Sequence, residues 1–403
     1  MAHIIAPPPH SGRHRSVLRL PGTPAWHRRS VILNYGLGWD STAILLRWLQ
    51  EPASRDFALE QLIVVIAHVG EEFTDSQLLV EGHIFPLLRL HRIRTVQIAR
   101  RGPSDKDGIV VLSDTRQPTT LHIAGAWRLG DHMMRDGTVP QYANGRHFCA
   151  QRFKGWPIGQ WLRGAFKTRP YRSIIGYHAD EPKRAAKAAD YADIQRAHEF
   201  PLMRWGWGRA AVEAYVRRAT GVEWAKSCCG FCPFACGRAE MVARLTRHPE
   251  QGVRALVMEH LSLSLNPRFG LYPSGKPLRV TMEQAHAAEV LTSFARLLDD
   301  TQWSLYRVRR MYRAQAPLVD RSVKRMATGD RAAMLAQLRS LGDTEVEGGI
   351  ARVSIRRRAG RARPAIEEFY VAAPAIIGEK EKKCFSRLWA ERTSEVKQIA
   401  LTL

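Results

Sequence analysis

The segment that decides the fold is Val31-Ile32-Leu33-Asn34-Tyr35-Gly36-Leu37-Gly38-Trp39-Asp40-Ser41-Thr42. A short apolar run is followed by a turn with two glycines and then by a helical pattern that extends to Leu49. Glycines allow close backbone approach, and the amides at the start of a helix attract anions. The hydroxyls of Ser41 and Thr42 add donors in the first turn. The segment therefore predicts a strand–turn–helix unit that binds phosphate, with an ordinary turn and helix cap as the alternative.

Strand and helix patterns alternate on both sides of this unit. The β-branched run at residues 62–67 is typical of a strand buried on both faces of a parallel sheet. A helix is predicted over 75–90, and short strands are predicted at 95–98 and 173–176. This alternation predicts an α/β fold with a doubly wound, mostly parallel sheet, in which ligands bind beyond the carboxyl ends of the strands. The turn after Asn34 lies at that edge.

The pattern changes beyond about residue 240. Helices are predicted there, most clearly over 281–298 and 301–312, so we expect a helical, basic C-terminal part. The expected organisation is a basic flexible arm (1–29), a nucleotide-binding domain with a cysteine cluster (30–250), a helical region (251–345) and a basic C-terminal region (346–403).

Length and composition exclude several classes of protein. The chain has 403 residues, of which 45% are hydrophobic and 25% charged, and this is a globular composition. No apolar run approaches the roughly 18 residues of a membrane span, so we expect a cytoplasmic protein without membrane contact. The excess of 61 Lys and Arg over 38 Asp and Glu gives a net charge of +23, which favours a polyanionic partner.

Four of the six cysteines lie between Cys228 and Cys236. This spacing is typical of a ligand cluster in a reducing compartment and not of a disulfide framework. Cys229 and Cys232 are separated by two residues, so both thiolates can reach one metal ion or cluster. Four thiolates are what an iron–sulfur cluster or a structural zinc requires. Buried cysteines that act as small hydrophobic side chains are the alternative.

Six segments, in the right order, resemble the phosphoadenosine phosphosulfate (PAPS) reductase-like branch of the adenine-nucleotide alpha hydrolase superfamily, whose members are PP-loop ATP pyrophosphatases. The first is the G-x-G-x-D-S-T form of the pyrophosphate loop. The resemblance covers roughly residues 30–250 and implies the fold of that superfamily. The matching segments lie at 36–42, 68–73, 146–157, 176–184, 200–207 and 229–234.

The resemblance implies that the chain binds ATP or a related adenine nucleotide, with Mg²⁺ as a further expected ion, and that Asp40 and Ser41 are catalytic. Trp39 stands where a lysine is common, and His68 takes the place of an acid. Phosphate charge must then be met by other cations, for which Lys183 is a further candidate. The implied nucleotide-binding residues are Tyr35, Gly36, Gly38, Asp40, Ser41, Thr42, Gly70, Arg146, Lys154, Gly176, Asp180, Glu181 and Arg184.

The resemblance also places Cys149 near the cysteine segment. A [4Fe–4S] cluster is the expected cofactor, with zinc as the alternative. The expected ligands are Cys149, Cys229, Cys232 and Cys236. Cys228 is the alternative to Cys236.

Members of the superfamily differ in reaction. Pyrophosphatase-type enzymes adenylate an oxygen with ATP, release pyrophosphate and let sulfur or nitrogen displace AMP. Sulfonucleotide reductases use a cysteine in a C-terminal E-C-G-x-H motif, which the neighbours of Cys384 do not match.

The expected function is therefore sulfur transfer that modifies a nucleic acid, as in tRNA thiolation or DNA phosphorothioation. A cysteine desulfurase or a thioredoxin-like protein is the expected sulfur donor. A PAPS or APS reductase and a non-catalytic nucleotide- or DNA-binding module are the alternatives.

Aromatic and basic residues interleave in the C-terminal part, where Trp303, Tyr306 and Tyr312 lie among arginines. Such a stretch can contact phosphates and stack bases. The alternative is an amphipathic helix whose aromatic side chains pack inward. Together with the basic N-terminal arm and the arginine-rich segment 352–363, this pattern favours contact with nucleic acid.

Overall fold

The computed structural model describes residues 29–143, 146–189, 193–272, 276–313, 316–358 and 365–399. Apart from Arg29, the expected N-terminal arm lies outside the described residues. The strands are β1 (Ser30–Asn34), β2 (Leu62–His68), β3 (Arg94–Arg100), β4 (Ile109–Thr115), β5 (Tyr142–Ala143), β6 (Arg146–His147), β7 (Tyr171–Ile174), β8 (Arg196–Glu199), β9 (Trp303–Arg313), β10 (Ala316–Gly329), β11 (Thr344–Glu347), β12 (Ile350–Arg358) and β13 (Ile366–Pro374).

Helices surround these strands along the whole described chain. They are α1 (Trp39–Gln50), α2 (Thr74–Leu79), α3 (Phe85–Leu90), α4 (Leu129–Arg135), α5 (Phe148–Ala150), α6 (Trp156–Phe166), α7 (Pro182–Ala189), α8 (Pro201–Arg204), α9 (Arg209–Thr220), α10 (Arg238–Arg247), α11 (Pro249–Leu265), α12 (Leu278–Gln284), α13 (Ala288–Asp300), α14 (Arg331–Arg339) and α15 (Phe385–Ile399). Within the described ranges, no helix is both long and apolar enough to cross a membrane.

Six strands form the first sheet in the order β4-β3-β2-β1-β7-β8. Every neighbouring pair is parallel except β3 and β4. The chain adds β2 and β3 on one side of β1 and later adds β7 and β8 on the other side. A crevice therefore opens beyond the carboxyl ends of β1 and β7, where sheets of this kind bind ligands. Asn34 joins the two strands there, because its Nδ2 donates to Ser173 Oγ at 3.2 Å and to the carbonyl of Ile174 at 3.1 Å.

Apolar side chains of the central strands are buried on both faces of this sheet. Val31 and Leu33 pack into a core with side chains of α1 and α9, whereas Ile32 packs on the opposite face with Trp161 of α6. This alternation follows from the two-residue repeat of a strand. It confirms the predicted α/β class with a mostly parallel sheet, and the arrangement is compatible with a doubly wound fold.

Two predicted helices are interrupted. The helix predicted over 75–90 consists of α2, a π-helical turn at Val80–Ile84 and α3, and Pro86 in the first turn of α3 has no amide proton to donate. The helix predicted over 281–298 is divided into α12 and α13. The break occurs at His286, whose φ of 54° lies in the left-handed region.

The helix predicted over 301–312 is wrong, because this segment forms strand β9. The second sheet is antiparallel and has the order β10-β9-β13-β12-β11. Arg307 Nε donates to Glu368 Oε1 at 2.7 Å, and Arg310 Nη1 donates to Glu367 Oε2 at 3.1 Å. Both acids belong to β13, so pairing with a distant strand overrides the local pattern. The predicted helical region is therefore helical only up to Asp300, in α11, α12 and α13, and the described chain from Trp303 onward is a sheet with the helices α14 and α15.

One apolar core connects this second sheet with the cysteine segment. It includes Phe231 between the cysteines, Met258 of α11, Phe294 of α13 and Val371 of β13. The boundaries expected at 250 and 345 fall inside α11 and β11. The second sheet therefore extends across residue 345, since β11 pairs with β12.

Candidate functional site

The turn after β1 is held by its own hydroxyl groups. Ser41 Oγ accepts a hydrogen bond from the amide of Gly36 at 3.2 Å, and the hydroxyl of Tyr35 lies 3.0 Å from Thr42 Oγ1. Ser41 and Thr42 are buried. These hydroxyls, which the sequence analysis assigned to phosphate, therefore brace the turn in this structure.

Gly36 and Gly38 have different surroundings within this turn. Gly36 is exposed, and a Cβ built at that position would meet no atom within 4 Å. Gly38 is the N-cap of α1, and a Cβ built there would lie 3.9 Å from Ser227 Cβ. The space beside Gly36 is thus open to a ligand at the start of a twelve-residue helix, although the amide of Gly36 donates to Ser41 Oγ and its carbonyl accepts from Ser227 Oγ.

Two tryptophans fix the turn from outside. Trp39 Nε1 donates to the carbonyl of Trp224 at 2.7 Å, and Trp224 Nε1 donates to the carbonyl of Leu37 at 2.9 Å. Leu37 has a φ of 65°, an unfavourable conformation for a branched side chain that this contact helps to hold. Arg209 lies over the ring of Trp39, 5.1 Å from its centroid. A cation from α9 thus stands beside the position where a lysine was expected, and no local sequence signal pointed to it.

The segment after β7 lies directly against the start of α1. A Cβ at Gly176 would lie 3.0 Å from Asp40 Cβ and 3.1 Å from the amide nitrogen of Ser41, so this close approach favours glycine. Asp180 accepts a hydrogen bond from the amide of Arg209 at 2.9 Å. The structure thus brings two separately predicted motifs together.

Cations and acids of this segment are already paired with each other. Glu181 accepts a hydrogen bond from Arg184, whose guanidinium lies 4.5 Å from the ring centroid of Tyr177. His178 Nε2 is 3.5 Å from Glu181 Oε2. Lys183 is exposed. The strand β6 contains Arg146, but the side chain of Arg146 lies outside the described part of the structure.

Asp40 is a half-buried carboxyl group at the centre of this arrangement. The pKa of Asp40 is raised to about 6, chiefly by burial and also by Glu181, although His178, Arg184 and Arg209 act to lower it. Asp40 therefore exchanges its proton close to neutral pH, where a modest change in surroundings alters its charge.

The residues at the end of β2 and directly after it are held by contacts within the protein. His68 is buried, its Nε2 lies 2.9 Å from Gln97 Oε1, and burial lowers the pKa of His68 to about 4. Gly70 has a φ of 82°, and a Cβ there would lie 2.7 Å from Arg128 Cγ. Glu71 accepts two hydrogen bonds from Arg254, both at 2.7 Å. The positive φ of Gly70 and the close approach of Arg128 explain why glycine stands at this predicted site position, and neither involves a ligand.

Glu72 joins the turn after β1 to the cysteine segment, and sequence reasoning missed it. Its Oε1 is 3.2 Å from Lys154 Nζ, and its Oε2 lies 3.0 Å from Ser227 Oγ. Ser227 Oγ is also 3.0 Å from the carbonyl of Gly36. The backbone of Glu72 forms an antiparallel bridge with Cys229. Glu72 raises the pKa of Lys154 to about 12, so Lys154 is a fixed cation at this junction.

Three cysteines lie within electrostatic reach of one another at this junction. Burial, followed by Glu72, raises the pKa of Cys229 well above its ordinary value, and Cys232 and Cys149 raise it further. Lys154 lowers the pKa of Cys229 and of Cys149. Cys149, Cys229 and Cys232 are each partly buried against the same core. Three of the four expected ligands thus lie within electrostatic reach of one another, of one cation and of one carboxylate, and Cys236 is not among them.

The remaining two cysteines of the segment lie close to Arg244. Arg244 Nη1 donates to Cys228 Sγ at 3.4 Å, and Arg244 lowers the pKa of Cys236 after burial and Glu240 have raised it. Cys236 faces a pocket of about 500 Å³. The pocket is lined by Trp39, Asp75, Arg209, Ala225, Lys226, Ala235, Cys236, Glu240, Arg244 and Arg247.

The thiols have the donor chemistry that an iron–sulfur cluster or zinc requires. In the described part of the chain, no three His, Cys, Asp or Glu side chains are arranged around a point where a metal ion could bind. The donor set therefore has the composition that the expected group requires, but the described structure does not arrange the sulfur atoms around one centre.

The arginines of the second sheet are mostly used inside the fold. In addition to the β9–β13 pairs, Arg309 Nη2 donates to Glu381 Oε2 at 3.0 Å, and Arg352 donates to the carbonyl of Leu263. Trp303, Tyr306 and Tyr312 are buried, so these rings do not offer a stacking surface. Residues 359–364 of the arginine-rich segment lie outside the described residues.

No family model, curated protein or solved structure matches the chain.

Proposed function

We propose that the chain is a PAPS reductase-like PP-loop enzyme that cleaves ATP or a related adenine nucleotide at its α-phosphate and uses this cleavage in sulfur transfer to a nucleic acid. The observation that carries the proposal is the position of Glu72. Its carboxylate contacts Ser227, which supports the turn after β1, and Lys154, which acts on Cys149 and Cys229. A nucleotide site and a thiol site would therefore share one hydrogen-bonded junction.

The phosphate groups would bind in the open space beside Gly36 and at the first turn of α1. Two arginines lie near this turn, since Arg209 lies over Trp39 and Arg184 acts electrostatically on Asp40. A phosphate would compete with Glu213 and Glu181, which pair with these arginines. Guanidinium groups suit phosphate oxygens because their donors form a planar fork. These arginines would supply the charge that the missing lysine does not.

In the proposed reaction, an oxygen of the acceptor attacks the α-phosphorus of the nucleotide. The bond from that phosphorus to the oxygen bridging the α- and β-phosphates breaks, and pyrophosphate leaves with the electron pair. A sulfur nucleophile then attacks the carbon or phosphorus atom that bears the adenylated oxygen. The bond from that atom to the oxygen breaks, and AMP leaves with the oxygen and the electron pair. Asp40 would hold the Mg²⁺ that accompanies the nucleotide, and Ser41 would keep the turn in its binding conformation through Gly36.

A [4Fe–4S] cluster, or zinc in the alternative, would be held by Cys149, Cys229 and Cys232. Cys228 and Cys236 remain the candidates for a fourth position. When bound, such a centre binds or activates the sulfur that is transferred. Lys154 would compensate part of the negative charge of Glu72 and of the thiolates, because it lies beside the carboxylate of Glu72 and within electrostatic reach of the thiols.

Gly36→Ala is expected to weaken nucleotide binding without weakening the fold. The added methyl group meets no protein atom within 4 Å, but it occupies the space through which a phosphate would approach the backbone. We expect at least about tenfold weaker binding by calorimetry, equivalent to about 1.4 kcal/mol, with an unchanged melting temperature. Gly164→Ala in α6 is the control, since a Cβ there also meets nothing within 4 Å. Unchanged nucleotide affinity in Gly36→Ala would place the phosphates elsewhere.

Cys229→Ala is expected to abolish the metal centre. Anaerobically purified wild-type protein should contain iron and sulfide and show the broad visible absorbance of a cluster, or should contain zinc. The variant should lose the metal, whereas Cys384→Ala should keep it, because Cys384 is exposed at the start of α15. Metal-free wild-type protein, or equal metal content in both variants, would contradict the assignment.

The experiment that tests the function measures pyrophosphate and AMP from ATP with the anaerobically purified chain. Release of pyrophosphate supports the proposal. Sulfite release from phosphoadenosine phosphosulfate, without pyrophosphate from ATP, would indicate a sulfonucleotide reductase. Absence of both products, in protein that still binds a nucleotide or nucleic acid, would indicate a non-catalytic module.

A further inference from the structure

We propose that Tyr142, His147 and Phe234 form an aromatic shelf that stacks an unpaired base of the nucleic acid next to the cysteine site. The inference depends on the proposed function, because that function supplies a nucleic acid as the acceptor. It goes further by naming the surface that binds the acceptor and the part of the acceptor that is recognised.

The three rings contact each other in sequence. The ring centroid of His147 lies 4.8 Å from that of Tyr142 and 4.7 Å from that of Phe234, with interplanar angles of 52° and 55°. All three are exposed, and Tyr142 and Phe234 have 59% and 37% of their surface accessible. Such a set of exposed rings leaves π-faces and edges available to a planar ligand.

The shelf lies at the border between the thiols and the nucleotide side. His147 precedes Cys149 by two residues, and Phe234 follows Cys232 by two residues. Burial lowers the pKa of His147, and Arg184, on the nucleotide side, lowers it further. A base on the shelf would therefore have a cation near its phosphate and a thiol site near its edge.

Large exposed aromatic side chains are concentrated at this place. Among the described residues, the strongly exposed Phe, Tyr and Trp side chains are Tyr142, Phe148 and Phe234, and all of them belong to the two cysteine-bearing segments or to the hairpin beside them. The rings that sequence analysis assigned to base stacking, by contrast, are buried in the second sheet. Because every base has a π-face, exposed rings can stack an unpaired base, and the net charge of +23 for the whole chain favours a polyanionic ligand.

The test measures the fluorescence anisotropy of labelled single strands of about 12 nucleotides, DNA and RNA, and of the matching duplexes. Wild-type protein should bind a single strand more tightly than its duplex. Tyr142→Leu and Phe234→Leu should each weaken single-strand binding at least about fivefold, whereas Phe234→Tyr should retain it. Equal binding by the Leu variants and the wild type would overturn the inference, and so would equal binding of single strand and duplex.

Two further measurements separate the possible failures. If the rings only hold the β5–β6 hairpin against the cysteine segment, the Leu variants should lose metal content and melting temperature in proportion to any loss of binding, and this result would contradict a stacking role. Pyrophosphate release from ATP by wild-type protein is measured without nucleic acid. If pyrophosphate is released while no oligonucleotide binds, the proposed base-binding role of the shelf is contradicted and the proposed cleavage of the nucleotide is supported.

Discussion

Asp40→Asn is expected to abolish pyrophosphate release while making the folded protein more stable. The loss of activity should be at least about 100-fold, because the substitution removes the one carboxylate in the first turn of α1, next to the proposed phosphate site. The gain in stability follows from burial. The pKa of Asp40 rises from 3.8 to about 6, so ionised Asp40 costs free energy in the folded state.

The sign of this effect can be followed with pH. Between about pH 4 and pH 6 the folded protein holds the Asp40 proton more tightly than the unfolded chain does, so its contribution to stability falls as pH rises. Asparagine carries no such cost. The free energy of unfolding of Asp40→Asn should therefore equal that of the wild type near pH 4 and exceed it by about 1–3 kcal/mol above about pH 7.

Urea unfolding at several pH values and a pyrophosphate assay check both parts. Asp343→Asn is the matched control, because Asp343 is exposed in the turn before β11, and it should change the free energy of unfolding by less than about 0.5 kcal/mol. If Asp40→Asn still releases pyrophosphate at the wild-type rate, Asp40 is not a catalytic residue. A less stable variant above pH 7 would show that His178, Arg184 and Arg209 compensate the carboxylate more than burial penalises it.

Arg254→Met is expected to lower the free energy of unfolding by about 3–5 kcal/mol, the largest effect on stability that we predict. Glu71 is 1% exposed and accepts two hydrogen bonds from Arg254 and one from the amide of Gly130 at 2.8 Å. Removal of the guanidinium leaves this carboxylate buried without a counter-charge. Arg254 also contacts Asp131 at 2.7 Å, which loses its partner as well.

The same substitution should weaken metal binding. The carbonyl of Glu71 accepts a hydrogen bond from the amide of Gly230 at 2.8 Å, so Glu71 positions the backbone between Cys229 and Cys232. The stability deficit should become smaller at acidic pH, because burial raises the pKa of Glu71 and the loss of Arg254 raises it further. A protonated Glu71 needs no counter-charge.

Denaturant unfolding and metal analysis test this prediction. Arg279→Met is the control, since Arg279 forms an exposed ion pair with Glu283 within α12, worth at most about 1 kcal/mol. Adding Glu71→Gln to Arg254→Met should recover part of the lost stability. If Arg254→Met costs less than about 1 kcal/mol, the buried pair does not hold this junction.

The second sheet shows where local reasoning fails. Residues 303–313 contain arginine, leucine and methionine, which are good helix formers, and the segment was predicted to be helical. It forms β9 because Glu367 and Glu368, more than fifty residues later, pair with Arg310 and Arg307. A window of neighbouring residues contains no information about such a partner.

The sequence by itself determined the α/β class, the strand–turn–helix unit at residues 30–50 and the proximity of cysteines to one another in the chain, because each of these depends on residues a few positions apart. Only the tertiary structure decided which groups meet at the turn after β1. Ser227 reaches the carbonyl of Gly36 across 191 residues, and Trp224 and Arg209 arrive from equally remote segments. The junction at Glu72 could be recognised only in the tertiary structure. Its role depends on Lys154 and Ser227, and the packing of the chain brings both to this buried carboxylate.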